Sequence, residues 1–267
     1  MTSNERTTLQ TIALVVAILL CTAAMGRAEA APRAPVSMCA LNTGLNPACP
    51  LTAAGLSSRF TELSPTAVQH RWSLFAQRAL RGRTQLYIEL PVQERRAIAT
   101  IGTVQGFGDT VLGVNHVLSV RSERLMQTIG GTISLPTGAD GFSAGRSALD
   151  PAYALSFAPL SRVQVVLGAD YSFGIGGTNL PFAPRVQRFR LASRAIVDVG
   201  RDWFISGSAS QARVTGDYRY TTYAAGATLG FIGRHTALSI SYQVPLGTYS
   251  RNLTFDHSIE LEFAVRP

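Results

Sequence analysis

The feature that most constrains this chain is a two-residue alternation of polar and apolar side chains, sustained over unusually long segments. From Arg162 to Phe173, Val163, Val165, Leu167, Ala169, Tyr171 and Phe173 fall on one face, while Arg162, Gln164, Gly168, Asp170 and Ser172 fall on the other. Successive side chains of a strand point to opposite faces, so this segment forms a sheet with one apolar and one wet side. The last segment repeats the pattern, with Phe255, His257, Ile259, Leu261, Phe263 and Val265 against Asp256, Ser258, Glu260 and Glu262. Strands of soluble sandwiches alternate too, but typically run about 5–6 residues. These approach the roughly 9–11 residues that a tilted strand needs to cross a bilayer. The expected fold class is all-β, an antiparallel transmembrane β-barrel of about twelve strands behind a short irregular N-terminal extension.

The N-terminus points the same way. Residues 1–30 read as a signal peptide, with Arg6 in a short polar region, an apolar core from Ile12 to Ala24, and Ala28-Glu29-Ala30 as the small-x-small site before Ala31. Leu20 is too bulky before Cys21 for a lipoprotein cleavage site. Residues 31–68 lack periodicity and read as an irregular extension, either a periplasmic segment or a plug in the barrel mouth. Cys39 and Cys49 bracket a Gly/Pro/Asn-rich loop there, and an even pair in an exported chain suggests a disulfide. Residues 69–267 are left for the barrel.

The net charge of +8 comes from arginine alone, since the chain has no lysine. With a pI near 10, nucleic acid is a partner to consider. The arginines are spread along the strands, with no basic helix or tail, and that argues against it.

From His70 onward about twelve strands can be counted. The first three fall near Trp72–Leu80, Thr84–Leu90 and Arg96–Val104. Of these only the second alternates cleanly, setting Leu86, Ile88 and Leu90 opposite Gln85, Tyr87 and Glu89. Later strands are clearer, and the eighth, about Val186–Val199, is the most basic, with Arg188, Arg190, Arg194 and Asp198 on one face. Thr215-Gly216-Asp217 marks a tight turn, whereas Gly138–Ser147 and Gly174–Pro184 are long loops, candidates to lie over the mouth. Alternating short and long connections are a barrel trait.

Several motifs resemble the outer-membrane transporters grouped as the phenol-degradation meta-pathway family. They are Gly106-Phe107-Gly108-Asp109 entering a strand, Ser134-Leu135-Pro136-Thr137-Gly138 closing the next, Asp150-Pro151 opening another, and Tyr242-Gln243-Val244-Pro245-Leu246-Gly247. The resemblance covers about residues 70 to 265 and implies a channel for aromatic or other hydrophobic solutes. One departure concerns assembly. Outer-membrane barrels often end on an aromatic residue read by the insertion machinery, whereas here Phe263 has the right parity but is followed by Ala264-Val265-Arg266-Pro267.

The inward face carries the charged constellation. Lumen-lining candidates are Arg124, Arg162, Arg188, Arg190 and Arg194 with Asp109, Asp150, Asp170, Asp198, Glu260 and Glu262. They could set a transverse field that selects solutes, or pair off and merely satisfy buried charge. A membrane lipase would need a Ser–His pair within hydrogen-bond reach; His116 and His257 fall on the lipid side, and His70 and His235 at strand starts. Gly174-Ile175-Gly176-Gly177 has no helix after it, so it is not a phosphate loop. The expected protein is therefore a non-enzymatic barrel without cofactor or metal. Its expected partners are outer-membrane lipids, the outer-membrane assembly machinery and a small-molecule solute. The rival readings are a closed structural or surface-interaction barrel and a lipid-modifying enzyme.

Overall fold

The structure, a computed structural model, describes residues 52–64, 67–80, 83–97, 102–122, 125–139, 142–175, 186–200, 202–247, 250 and 255–266. Thirteen strands make one sheet: β1 (Ala53–Ser64), β2 (Ala67–Leu80), β3 (Thr84–Ala97), β4 (Gly102–Phe107), β5 (Thr110–Ser122), β6 (Leu125–Leu135), β7 (Ser147–Leu160), β8 (Val163–Ile175), β9 (Val186–Asp198), β10 (Trp203–Gly216), β11 (Tyr220–Ile232), β12 (Thr236–Pro245) and β13 (His257–Val265). Each strand pairs antiparallel with its sequence neighbours, except that β4 and β5 both pair with β3 and not with each other, and β1 pairs with β13 from Ala54↔Val265 to Glu62↔His257, which closes the ring. Twelve strands form the closed barrel. The extra one, β4, runs in line with β5 along β3, because β3 pairs with β5 through Thr84–Glu89 and with β4 through Val92–Ala97.

Two expectations need correcting. The stretch 31–68 was expected to be irregular, yet β1 lies inside it and supplies the closing seam. Its alternation is faint because only Leu56 and Phe60 are large and apolar on the outward face, where Ser58 and Glu62 also stand. The segment expected as one strand, Arg96–Val104, instead joins the end of β3 to the start of β4, across residues outside the described set. Cys39 and Cys49 also lie outside the described residues.

Connections at one end are short (residues 81–83, 123–124, 161–162, 199–202 and 233–235), and most at the other are longer, including 136–146, 176–185 and 246–256. Gly216, at φ 109°, makes the tight turn expected at the loop end. Leu74, Val114, Ile129, Leu191, Ile205, Leu229, Leu238 and Leu261 point outward and are exposed. An outward apolar band over a ring of paired strands is the arrangement that hydrocarbon surroundings demand, since an unpaired backbone group there is costly.

The interior is not uniformly polar. At the short-turn end, Ala53, Phe75, Ala154, Val166, Ile196, Phe204, Ile232, Ala237 and Ala264 form one buried apolar cluster, and by strand parity all of them point inward. Phe75 lies across Gly55 and Phe204 across Gly230, each glycine being the register partner of the ring that covers it. A side chain at either glycine would occupy the ring's place. The Gly230→Val protein is expected to lose about 1–3 kcal/mol, as overpacked interiors do, read as a lower temperature for losing heat-modifiable mobility in detergent; an unchanged transition would show that Phe204 does not seat there.

Candidate functional site in the barrel lumen

Above the apolar floor the lumen opens into a cavity of about 340 Å³, lined by four arginines and four carboxylates among mostly small polar residues. Arg188, Arg190 and Arg194 project inward from alternate positions of β9, as its parity requires. Arg190 donates from Nε to Asp170 at 2.7 Å, directly across the β8–β9 ladder. Among the described residues, Arg194 has no carboxylate in hydrogen-bond contact. It lies along β10 and β11, donating from Nε to Ser206 (3.1 Å) and from Nη2 to Thr228 (2.9 Å), whose hydroxyl meets Ser241 at 2.9 Å. Arg188, exposed and nearest the loop end, makes no ion pair among the described residues.

The facing wall comes from β13 and β1 to β3. Arg59 bonds Glu260 at 2.6 Å, and Arg71 bonds Glu89 at 2.5 Å while Tyr87 donates to the same carboxylate at 2.6 Å. Between the walls, β10 to β12 present Ser208, Ser210, Thr228, Ser241 and Gln243 inward, with bare backbone at Gly226. Asp150 on β7 accepts from Thr132 at 3.2 Å through Oδ2, and its Oδ1 has no hydrogen-bond partner among the described residues.

Not every expected lumen residue is there. Asp150, Asp170, Glu260, Arg188, Arg190 and Arg194 line the cavity. Glu262 points inward but is buried beside the floor (4% exposed). Arg162 sits in the exposed β7–β8 turn, because β8 starts at Val163. Asp198 ends β9 and accepts from the Gly200 amide at 3.2 Å, stabilising a turn. Asp109 stands at the break between β4 and β5 and clasps the 136–146 loop, accepting from Gly138 (3.0 Å) and Ala144 (2.8 Å). Arg124 lies outside the described residues. Missed were Arg59 and Arg71, both on strand segments whose alternation is weak; the tell-tale signal was their odd-numbered spacing with Ser57, Thr61 and Ser73.

The outer face holds two hydroxyl–imidazole pairs, Ser58 Oγ with His70 Nε2 at 2.8 Å and Thr84 Oγ1 with His116 Nδ1 at 2.9 Å. Among the described residues no carboxylate or amide orients His70, and the second pair repeats the motif with threonine, so both read as polar groups satisfied on a lipid-facing surface.

No protein-family model matches the chain, and no curated protein matches its sequence. Solved structures match in fold. An outer membrane channel from Pseudomonas putida F1 superposes with a TM-score of 0.68 at 12% identity, over 84% of this chain and 99% of that one. The NanC porin gives 0.56 at 12% identity, over 81% and 100%. The KdgM porin gives 0.50 at 11%, over 80% and 99%. The chain thus has the β-barrel architecture of outer-membrane channels and porins.

The loop clasp gives a local prediction. Asp109→Ala should speed hydrogen exchange at the Gly138 and Ala144 amides by about tenfold or more, the loss expected for bonds to a charged acceptor. Unaltered exchange at both amides would mean that the loop is held by other contacts.

Proposed function

We propose that the chain is an outer-membrane channel for small polar or ionised solutes, with a cavity reached from the loop end and a constriction at the short-turn end. The carrying observation is the charged cavity itself, where Arg188 and Arg194 face the interior with no carboxylate among the described residues bonded to them. Charged and hydroxylated walls bind solutes through ionic and hydrogen-bonding edges. An uncharged hydrophobic solute would find little complementary surface there. The aromatic solute suggested by the family resemblance suits this cavity as an ionised or hydroxyl-bearing ring, its charge toward β9 and its face toward Tyr87.

The apolar floor determines how such a channel behaves. A hydrophobic constriction holds water poorly and gates by dewetting, so narrow or intermittent conductance is expected. The same floor is what favours the rival reading, a closed barrel with a structural role.

Planar-bilayer recording of the refolded chain separates these readings. Small discrete steps are expected, and Phe75→Ala/Phe204→Ala should raise the conductance by about twofold or more by widening the hydrophobic constriction. A folded barrel that stays silent with and without these substitutions supports the closed reading. In a conducting barrel, Arg188→Gln/Arg190→Gln/Arg194→Gln should move the reversal potential in a salt gradient toward cation selectivity. Unchanged selectivity would remove these arginines from the path.

A further inference from the structure

Most of the charges lining the cavity are neutralised by a neighbour. Arg190 is bonded to Asp170, Arg59 to Glu260, and Glu89 to Arg71. Among the described residues this leaves Arg188 and Arg194 on β9, and Asp150 on β7, without an ion-pair partner. Arg194 is tied down by Ser206 and Thr228, so Arg188 is the freer cation. Asp150 is oriented by Thr132 through Oδ2, while its Oδ1 is buried and receives no donor from the described residues. A buried carboxylate oxygen without a donor is costly, and native structures rarely leave one so.

Arg188 and Asp150 stand at one level of the barrel. Ser172 on β8 is the register partner of Arg188, and the pairs Leu149↔Phe173 and Ala152↔Asp170 set Asp150 across from Ser172 on its other side. The two charged residues are therefore about 10 Å apart at the backbone, two strand spacings, with only a serine between them. Four residues nearer the floor, Ala154, Gly168 and Ala192 are register partners and leave a shallow recess in the wall. A side chain built onto Gly168 would meet only the Tyr153 carbonyl, at 3.9 Å, so the recess is open.

An anion alone would satisfy Arg188 and leave Asp150 as it is; a cation alone would do the reverse. We infer that this wall is a binding subsite for a small zwitterion, a molecule with an ammonium and a carboxylate a few bonds apart. Its carboxylate takes two hydrogen bonds from the planar Arg188 guanidinium. Its ammonium donates to Asp150 Oδ1, which the half-buried carboxylate presents by turning about its soft terminal torsion, and its carbon chain lies over the recess. The Arg190–Asp170 pair directly beneath has the same polarity, base on β9 and acid toward β7, so its field orients the solute in the same sense. The subsite rests on the cavity being reached from the loop end, as proposed above, but not on passage through the floor.

The probes are β-alanine, propionate and ethylammonium, the last two being the first without its ammonium or its carboxylate. Binding of each to the full chain, refolded in detergent micelles at low salt, is measured by saturation-transfer NMR, and the conductance of the same preparation is recorded beside it. β-Alanine should bind at least about tenfold more tightly than either single ion, as a second charge-assisted hydrogen bond allows. Asp150→Asn should lower its affinity to near that of propionate, and Arg188→Gln to near that of ethylammonium. Gly168→Leu should weaken β-alanine binding by filling the recess. Equal affinity for β-alanine and propionate in the parent protein, or a preference that survives Asp150→Asn, would overturn the subsite in favour of a plain anion site at the arginines. A folded barrel that binds none of the probes would overturn it as well. Where a variant does not show heat-modifiable mobility, the comparison of the three probes in the parent decides. Binding without conductance upholds the subsite and removes the channel, whereas conductance without the preference does the reverse.

Discussion

The pairing of β1 with β13 is the interaction on which the rest depends. In hydrocarbon an unpaired backbone amide or carbonyl costs several kcal/mol, so an open edge on either strand would leave a row of such costs. The seam runs over nine register pairs from Ala54↔Val265 to Glu62↔His257. It also brings Arg59 to Glu260 and Thr61 to Ser258 on the inner face. Closure therefore assembles one charged wall of the lumen as a by-product.

Inside the ring two kinds of packing divide the length. At the short-turn end small residues and glycines admit Phe75 and Phe204, and the interior packs like a protein core. Toward the loop end the inward positions become Arg, Asp, Glu, Ser and Thr, too hydrophilic to close on themselves, and a cavity results. Most arginines there are anchored by a carboxylate, as with Arg59 and Arg190, so that the wall is ordered without being empty of charge. Arg194 is held by hydroxyls instead, leaving its charge available to a solute.

The fold class was legible because alternation reports sidedness directly, and β7 to β13 all follow it. The strand total of twelve emerges from the sequence through two compensating errors. Arg96–Val104 is counted as one strand although it takes in the end of β3 and the start of β4, and β1 is passed over because Ser58 and Glu62 stand where apolar residues are expected. Parity sets Arg188, Arg190 and Arg194 on one face of β9, the face that lines the cavity. It fails for Arg162 and Asp109, since a face is defined only while the chain is extended and these two occupy a turn and a break, while Asp198, the last residue of β9, bonds the turn that follows it. The apolar floor could have been suspected from Phe75, Ile196, Phe204 and Ile232, all large apolar residues on the polar face near strand ends. Seen singly they look like lapses in the pattern; only the closed ring shows that they meet.

Closure of the barrel by residues 53–64 against β13 is open to a direct cross-linking measurement. Thr61 and Ser258 are register partners whose hydroxyls lie 3.3 Å apart, and paired positions on antiparallel strands have Cα separations of about 4.5–5.5 Å, within disulfide range. In the refolded chain, Thr61→Cys/Ser258→Cys should form a disulfide under mild oxidation, detected by mass spectrometry of the peptides it joins. Thr61→Cys/Ile259→Cys should not, because Ile259 points to the lipid. Cross-linking with position 259 in place of 258, or no cross-link in a protein that still folds, would contradict the closure described here.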